Sequence, residues 1–188
     1  MRDYISFFHL RRLRQLRGVV CYSTMQRLVS ALVLSRLDYC NAELSGFPST
    51  TLDLLRRVLN AAIRFVAGLG PRDHVTDQMK KLHWLPIKYR INFKLCVMMH
   101  AAVTGQCPQY IRDIIHPLST LPKRNRLRAA ASGQFDISRT RTVFGERAFS
   151  LLVNESGTLF HKTLQTSQTE KLALKRALKS YYFKLAYD

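Results

Sequence analysis

Acidic residues are scarce in this sequence of 188 residues, and those present stand apart from one another. Asp and Glu together number 12 against 30 Lys and Arg, which leaves a formal charge of +18. No two carboxylates are adjacent, whereas an enzyme that works with two metal ions needs clustered carboxylates to hold them. The sequence therefore predicts no two-metal polymerase or nuclease centre, and no intrinsic enzymatic activity.

Several other catalytic and metal-binding patterns are also missing. The sequence has no G-x-x-x-x-G-K-[ST] loop, no G-x-S-x-G turn and no H-E-x-x-H helix motif. Its 4 cysteines are dispersed without a C-x-x-C pair, and the nearest group, Cys96, His100 and Cys107, is too small for a structural zinc site. We expect free thiols, no metal and no cofactor.

Long apolar runs are absent as well. No stretch of about 18 apolar residues is present, so no transmembrane helix is expected. The N-terminal segment MRDYISFFHLRRLRQLRG has its arginines after a short apolar patch, whereas a secretory signal carries charge before a longer apolar core. The chain is therefore not expected to be secreted. A basic helix on a membrane surface at residues 4–17 remains an alternative.

The sequence does contain a large positive charge together with enough apolar residues, 47%, to build a core. Such a charge opposes compaction unless an anionic partner neutralises it. Nucleic acid is the commonest partner for this balance, and an anionic membrane surface is the second. A soluble basic protein without a polyanionic partner is the third reading.

Apolar periodicity indicates a mainly α-helical protein. A helical body is predicted over residues 1–116, and Pro86 is suited to the first turn of one of its helices. Residues 117–168 are predicted to be a basic loop, with one or two short strands near 125–145, and residues 169–188 a C-terminal helix. Helices of the body are predicted at 4–17, 23–37, 51–67, 74–83 and from 86 towards 105.

Two groups of arginines are candidates for phosphate contacts, one on the first and third predicted helices and one in the basic loop. A solvated surface is the competing reading for each of them. Trp84 could stack on a base, but a lone Trp before a helix is more often part of the core. The candidate contacts to RNA or DNA are Arg11, Arg12, Arg14, Arg57, Arg64, Arg124, Arg126 and Arg128.

A series of short motifs runs through most of the chain in a fixed order: SRLDYCNAELSGFP, LLRRVLNAAIRFVAG, LHWLPIKYRINFKL, GQCPQYI, GERAF and LKRALKSYYF. This order resembles the thumb and post-thumb region of reverse transcriptases from non-long-terminal-repeat (LINE-type) retrotransposons. LHWLPIKYRINFKL is the most specific of the motifs. The residues that represent the shared motifs are His83, Trp84, Pro86, Gly145, Arg147 and Phe149.

The resemblance implies a truncated, non-catalytic C-terminal fragment of an RNA-directed DNA polymerase, with an intracellular location, nuclear or cytoplasmic. The family's palm, with its paired aspartates, would lie before Met1. One departure concerns the C-terminal quarter, where LLVNESGT stands in place of the Pro-x-Leu-Trp-Asn that usually follows the GERAF motif. Two functions remain open: a module that binds RNA or DNA through basic helices, or a retrotransposon relic or structural protein without a nucleic-acid role.

Overall fold

The structure is a computed structural model that describes residues 2–113 and 171–188. In these two ranges the chain is helical without strands, so the prediction of a mainly α fold is confirmed. The strand or loop segment predicted near 125–145 lies outside the described residues. The helices are α1 (Arg2–Gln15), α2 (Tyr22–Val29), α3 (Ser35–Asp38), α4 (Ser49–Ala67), α5 (Thr76–Lys81), α6 (Ile87–Val103), α7 (Gln109–Arg112) and α8 (Lys171–Tyr187).

The chain divides into two compact units. The first consists of Met1–Arg90 together with Ala186–Asp188, and the second of Ile91–Leu185. The first unit contains α1 to α5, and it also contains both of the basic helices on which the sequence placed candidate phosphate contacts.

The core of the first unit forms where α1, α2 and α4 pack against one another. The buried positions of α4 recur at helical spacing, as Leu55, Leu59, Ala62 and Val66 do, because one stripe of the helix faces the core. On α1 the buried stripe is narrower than the apolar pattern suggests. Tyr4 is 76% exposed, because it stands nine residues before buried Leu13 and therefore on the opposite side of the helix.

The helix predicted at 23–37 is present, with an irregular turn in its middle. α2 leads through a π-helical turn, Ser30–Leu34, directly into α3. The hydroxyl of Ser30 donates to the carbonyl of Gln26 at 2.8 Å, which is the way that serine hydroxyls loosen a helix locally. Val33 is fully buried in this turn, so the widened turn still contributes a side chain to the core.

The motif around Trp84 and Pro86 packs into the first unit and accepts hydrogen bonds there. Trp84 is only 6% exposed, and its carbonyl accepts a hydrogen bond of 2.5 Å from the Tyr187 hydroxyl at the C-terminal end of α8. Pro86 directly precedes α6, and its carbonyl accepts the backbone N–H of Arg90 at 3.0 Å. In the described fold this motif therefore contributes a buried side chain and backbone hydrogen-bond acceptors.

The second unit has its own buried residues on α6 and α8. Leu95 and Met99 are buried on α6, and Leu174 and Leu178 are buried on α8. The Tyr182 hydroxyl lies 3.2 Å from the sulfur of Cys96, and burial raises the pKa of both groups. Both groups therefore stay protonated and neutral inside this core.

Candidate nucleic-acid interface

A groove lined by arginines runs along the first unit where α1 meets α4. Its wider part has a volume of about 690 Å³. Arg14 and Arg17 come from the end of α1 and the turn after it, and Arg64 comes from the last turns of α4. The other residues that line this part are Ala61, Phe65, Leu69 and Pro71.

A narrower cavity of about 240 Å³ continues the groove towards the start of α1. Arg14, Ala61 and Phe65 line both cavities, so the two adjoin. Arg11 adds a further guanidinium to the narrower part, beside the apolar side chain of Phe7. We call the two parts together the basic groove, with Arg11, Arg14, Arg17 and Arg64 as its cations.

The helical repeat explains why these arginines fall on one line. Arg11 and Arg14 are three residues apart and therefore neighbours on the surface of α1. Backbone hydrogen bonds of the i to i+3 type, including one from Arg17 N to the Arg14 carbonyl at 3.3 Å, carry the winding past the end of the helix. Arg17 therefore extends the same line.

The cations of the groove are only partly satisfied by the protein. Arg64 donates from Nη2 to the backbone carbonyl of Asp73 at 3.2 Å. Its Nε atom is buried and has no hydrogen-bond partner in the described part of the chain. Within that same part, no carboxylate lies within 4.0 Å of the guanidinium groups of Arg11, Arg14 or Arg17.

Arg17 is held in a defined position by its surroundings. Its guanidinium carbon lies 5.8 Å from the centroid of the Phe65 ring, within the range of a cation–π contact. It also lies against Gly68, which follows α4 in the left-handed conformation with φ of 72°. A Cβ added at Gly68 would be 2.7 Å from Arg17 Nη2, so the missing side chain makes room for the guanidinium.

The structure brings together three of the predicted contact residues and leaves the others elsewhere. Arg11, Arg14 and Arg64 line the basic groove. Arg12 instead lies over the Phe8 ring, 5.7 Å from its centroid. Arg57 is exposed on α4, one turn before Ala61, and does not line either cavity. Three others, Arg124, Arg126 and Arg128, lie outside the described residues.

The structure describes three of the shared motif residues, His83, Trp84 and Pro86. These three lie in the turn that leads to α6. His83 is exposed, with a positive φ of 53°, in the turn that leads to buried Trp84. The motif residues Gly145, Arg147 and Phe149 lie outside the described residues.

Sequence reasoning missed two features of the groove. Arg17 lies in the same run of arginines as Arg11 and Arg14, but it is not among the predicted contacts. Phe65 follows Arg64 directly and belongs to the buried stripe of α4, where it is 6% exposed, so its sequence signal is that of a core residue. The i, i+3 and i+6 spacing of Arg11, Arg14 and Arg17 was the available signal.

Neither a metal-ligand group nor a membrane-spanning helix is found in the described residues. In residues 2–113 and 171–188, no three His, Cys, Asp or Glu side chains are grouped as a metal would require. Of the helices in these ranges, none combines the length and the apolar character needed to cross a bilayer.

Searches against protein-family models, curated proteins and solved structures find no match to this chain.

Proposed function

We propose that this chain binds RNA or DNA through the basic groove, mainly by contacts to the phosphate backbone. One observation carries the proposal: guanidinium groups from two different helices line a single groove, and among the described residues no acidic side chain lines it. Arginine suits this role because its planar fork of donors matches the oxygens of a phosphate.

Electrostatics supports an anionic ligand at this position. Like charges in one groove repel one another, and a polyanion relieves that repulsion while it releases its own counterions. The unused Nε donor of Arg64 and the carboxylate-free surroundings of Arg14 point the same way. The formal charge of +18 adds long-range attraction for any polyanion.

The order of the sequence motifs supports a more specific origin. We propose that the chain is a non-catalytic region of a LINE-type reverse transcriptase, present in the nucleus or cytoplasm. The purified chain is then expected to synthesise no DNA when it is given a primed RNA template and a divalent metal. DNA synthesis in that assay would overturn this part of the proposal.

The binding test is fluorescence anisotropy with a labelled RNA hairpin and a labelled DNA duplex across a salt series. We expect log affinity to fall linearly with log salt concentration. The double variant Arg14→Gln/Arg64→Gln should reduce the slope by about 2, because each lost phosphate contact removes about one counterion.

A matched control removes the same charge from another surface. Arg27 and Arg36 are exposed on α2 and α3, away from the groove. Arg27→Gln/Arg36→Gln should change the slope by much less. Equal effects of the two double variants would show that charge alone matters and not the groove. If the chain is shown to be folded by circular dichroism and still does not bind at low salt, the alternative of a retrotransposon relic without a nucleic-acid role would be favoured.

A further inference from the structure

The basic groove lies over the line where α1 and α4 pack against each other. Helices in contact leave no open gap, so a ligand would lie along the groove and not between the helices. A single strand in this position can offer an unpaired base to the groove, whereas the bases of a duplex are paired and stacked.

The length of the cationic line fits a short strand. Arg11 and Arg17 are six residues apart, which corresponds to about 9 Å along a helix. Phosphates on one strand follow each other at about 3.4 Å along the axis of a stacked helix, so the line covers roughly three phosphates. Arg64 faces the same cavity as Arg14 and Arg17 from the opposite helix.

Arg17 supplies a flat surface inside this groove. Its guanidinium carbon lies 5.8 Å from the centroid of the Phe65 ring, and that ring is almost fully buried and therefore cannot itself receive a base. Arg17 is exposed and lines the wider cavity, so its guanidinium is accessible to a ligand. Guanidinium planes are platforms on which unpaired bases stack, and they combine stacking with a positive charge.

We propose that the basic groove binds single-stranded nucleic acid, with phosphates on Arg11, Arg14 and Arg64 and one base stacked on the Arg17 guanidinium. This inference rests on the proposed function and makes it more specific. Phe65 and Gly68 are positioning residues, because Phe65 lies beside the guanidinium and Gly68 leaves it room.

The experiment compares three labelled probes against the full chain at one salt concentration: an oligo(dT) hexamer, an abasic hexamer with the same phosphates, and a DNA hairpin duplex. We expect the hexamer to bind about tenfold more tightly than the abasic strand, which is the scale of one stacked base. The duplex should bind more weakly than the hexamer when affinities are compared per phosphate.

Arg17→Lys is the informative variant, because it keeps the charge and removes the planar group. It should weaken binding of the hexamer about tenfold and leave binding of the abasic strand unchanged. Arg27→Lys on α2 is the matched control and should change neither. Both arginines are exposed, so neither variant is expected to affect folding.

The outcomes separate this inference from the proposed function. Equal affinities for the hexamer and the abasic strand, or an Arg17→Lys variant that binds like the original chain, would overturn base stacking. A duplex that binds as tightly per phosphate would overturn the preference for single strands. The proposed function would survive either result. Failure of all three probes to bind, or displacement of the hexamer by poly-glutamate at equal charge, would overturn both.

Discussion

Arginines in two regions of the first unit have opposite surroundings. Arg90, at the start of α6, donates from Nε and Nη2 to the two carboxylate oxygens of Asp38, at 2.8 and 2.5 Å. Its side chain is 15% exposed. Arg14, in the basic groove, is exposed and has no carboxylate within 4.0 Å in the described part of the chain. The first arginine is used by the fold, whereas the second remains available to a ligand.

This difference shows that the basic residues of the chain fall into two groups, those paired with a carboxylate in the fold and those left exposed. With 12 acidic residues against 30 basic ones, most cations cannot find a carboxylate. A partly buried ion pair is therefore informative, because it shows where a cation belongs to the fold. Asp38 pairs with an arginine 52 residues away, and it also accepts a hydrogen bond of 3.3 Å from Asn41. Arg90 is a structural arginine by this criterion, whereas Arg14 combines the lack of a carboxylate with a place in the basic groove.

The largest expected effect comes from removing the paired arginine. Arg90→Met should lower the free energy of unfolding by about 2 kcal/mol, between the small value of an exposed ion pair and the larger one of a buried pair. Asp38, 43% exposed at its side chain, would keep access to water, which limits the loss. Urea denaturation followed by circular dichroism measures it. Affinity for nucleic acid should not change.

The control for this variant is Arg36→Met on α3, an exposed arginine in the same unit. It should alter stability by no more than about 0.5 kcal/mol, as most surface substitutions do. If Arg90→Met left stability unchanged and abolished nucleic-acid binding, the division between structural and binding arginines would be wrong.

The next effect concerns the glycine that makes room for Arg17. Gly68→Ala places a side chain at φ of 72°, which costs an L-residue about 1–2 kcal/mol. The new methyl group would also push the Arg17 guanidinium away from its place over Phe65. We therefore expect lower stability together with weaker binding of a single strand, measured by urea denaturation and by anisotropy.

Gly18 offers a matched control. A Cβ built there meets no atom within 4 Å, and its φ lies outside the left-handed region. Gly18→Ala should be neutral, or slightly stabilising because it restricts the unfolded chain. Unchanged single-strand affinity in a folded Gly68→Ala variant would mean that the placement of Arg17 does not depend on this glycine.

The sequence predicted the helices better than their exposed faces. Helical spacing located the segments around α1, α4, α6 and α8, because their buried stripes repeat with the period of the helix. It was misleading for Tyr4, because repeated three-residue steps drift around a helix, so that Tyr4 lies opposite buried Leu13 and is exposed. It also could not show the π-helical turn at Ser30–Leu34, whose apolar residues fit an ordinary helix equally well.

The site was predictable in part for a related reason. The charge of the chain pointed to arginines, and three of those chosen line one groove. The sequence could not show that Arg12 lies over Phe8 and that Arg17 lies over Phe65, because those contacts depend on which way each side chain turns. It also could not pair Asp38 with Arg90, because that contact depends on the folded chain.

A smaller effect is expected from the hydrogen bond that Tyr187 donates to the Trp84 carbonyl. Tyr187→Phe should cost about 0.5–1 kcal/mol, the net value of one such bond. Burial raises the pKa of Tyr187 to about 12 from its ordinary value of 10, although the charge of Arg90 acts in the opposite direction. The contact therefore stabilises the fold below pH 10, and its contribution is lost as the pH rises through 12.

The test of this prediction is the difference in urea midpoint between the two proteins at several pH values. The difference should be constant up to about pH 10 and should shrink towards pH 12. Lysines and other tyrosines that titrate in this range affect both proteins alike, so they cancel. A difference independent of pH would mean that the Tyr187 hydroxyl does not ionise with the raised pKa.

The last prediction compares an exposed cysteine with a buried one and concerns their reactivity, not the stability of the fold. Cys21 is exposed, and hydrogen bonds from the hydroxyls of Ser23 and Thr24, at 3.4 and 3.1 Å from its sulfur, lower its pKa to about 7. Cys96 is buried, and burial raises its pKa. Because the thiolate is the reactive form, iodoacetamide should label Cys21 with a midpoint near pH 7 and leave Cys96 unlabelled in the folded chain. Peptide mass spectrometry after short labelling pulses measures both rates.

Ser23→Ala should move the Cys21 midpoint upwards, since it removes the strongest stabilising hydrogen bond of the thiolate. A midpoint that stays in place would mean that these hydroxyls do not set the reactivity of Cys21.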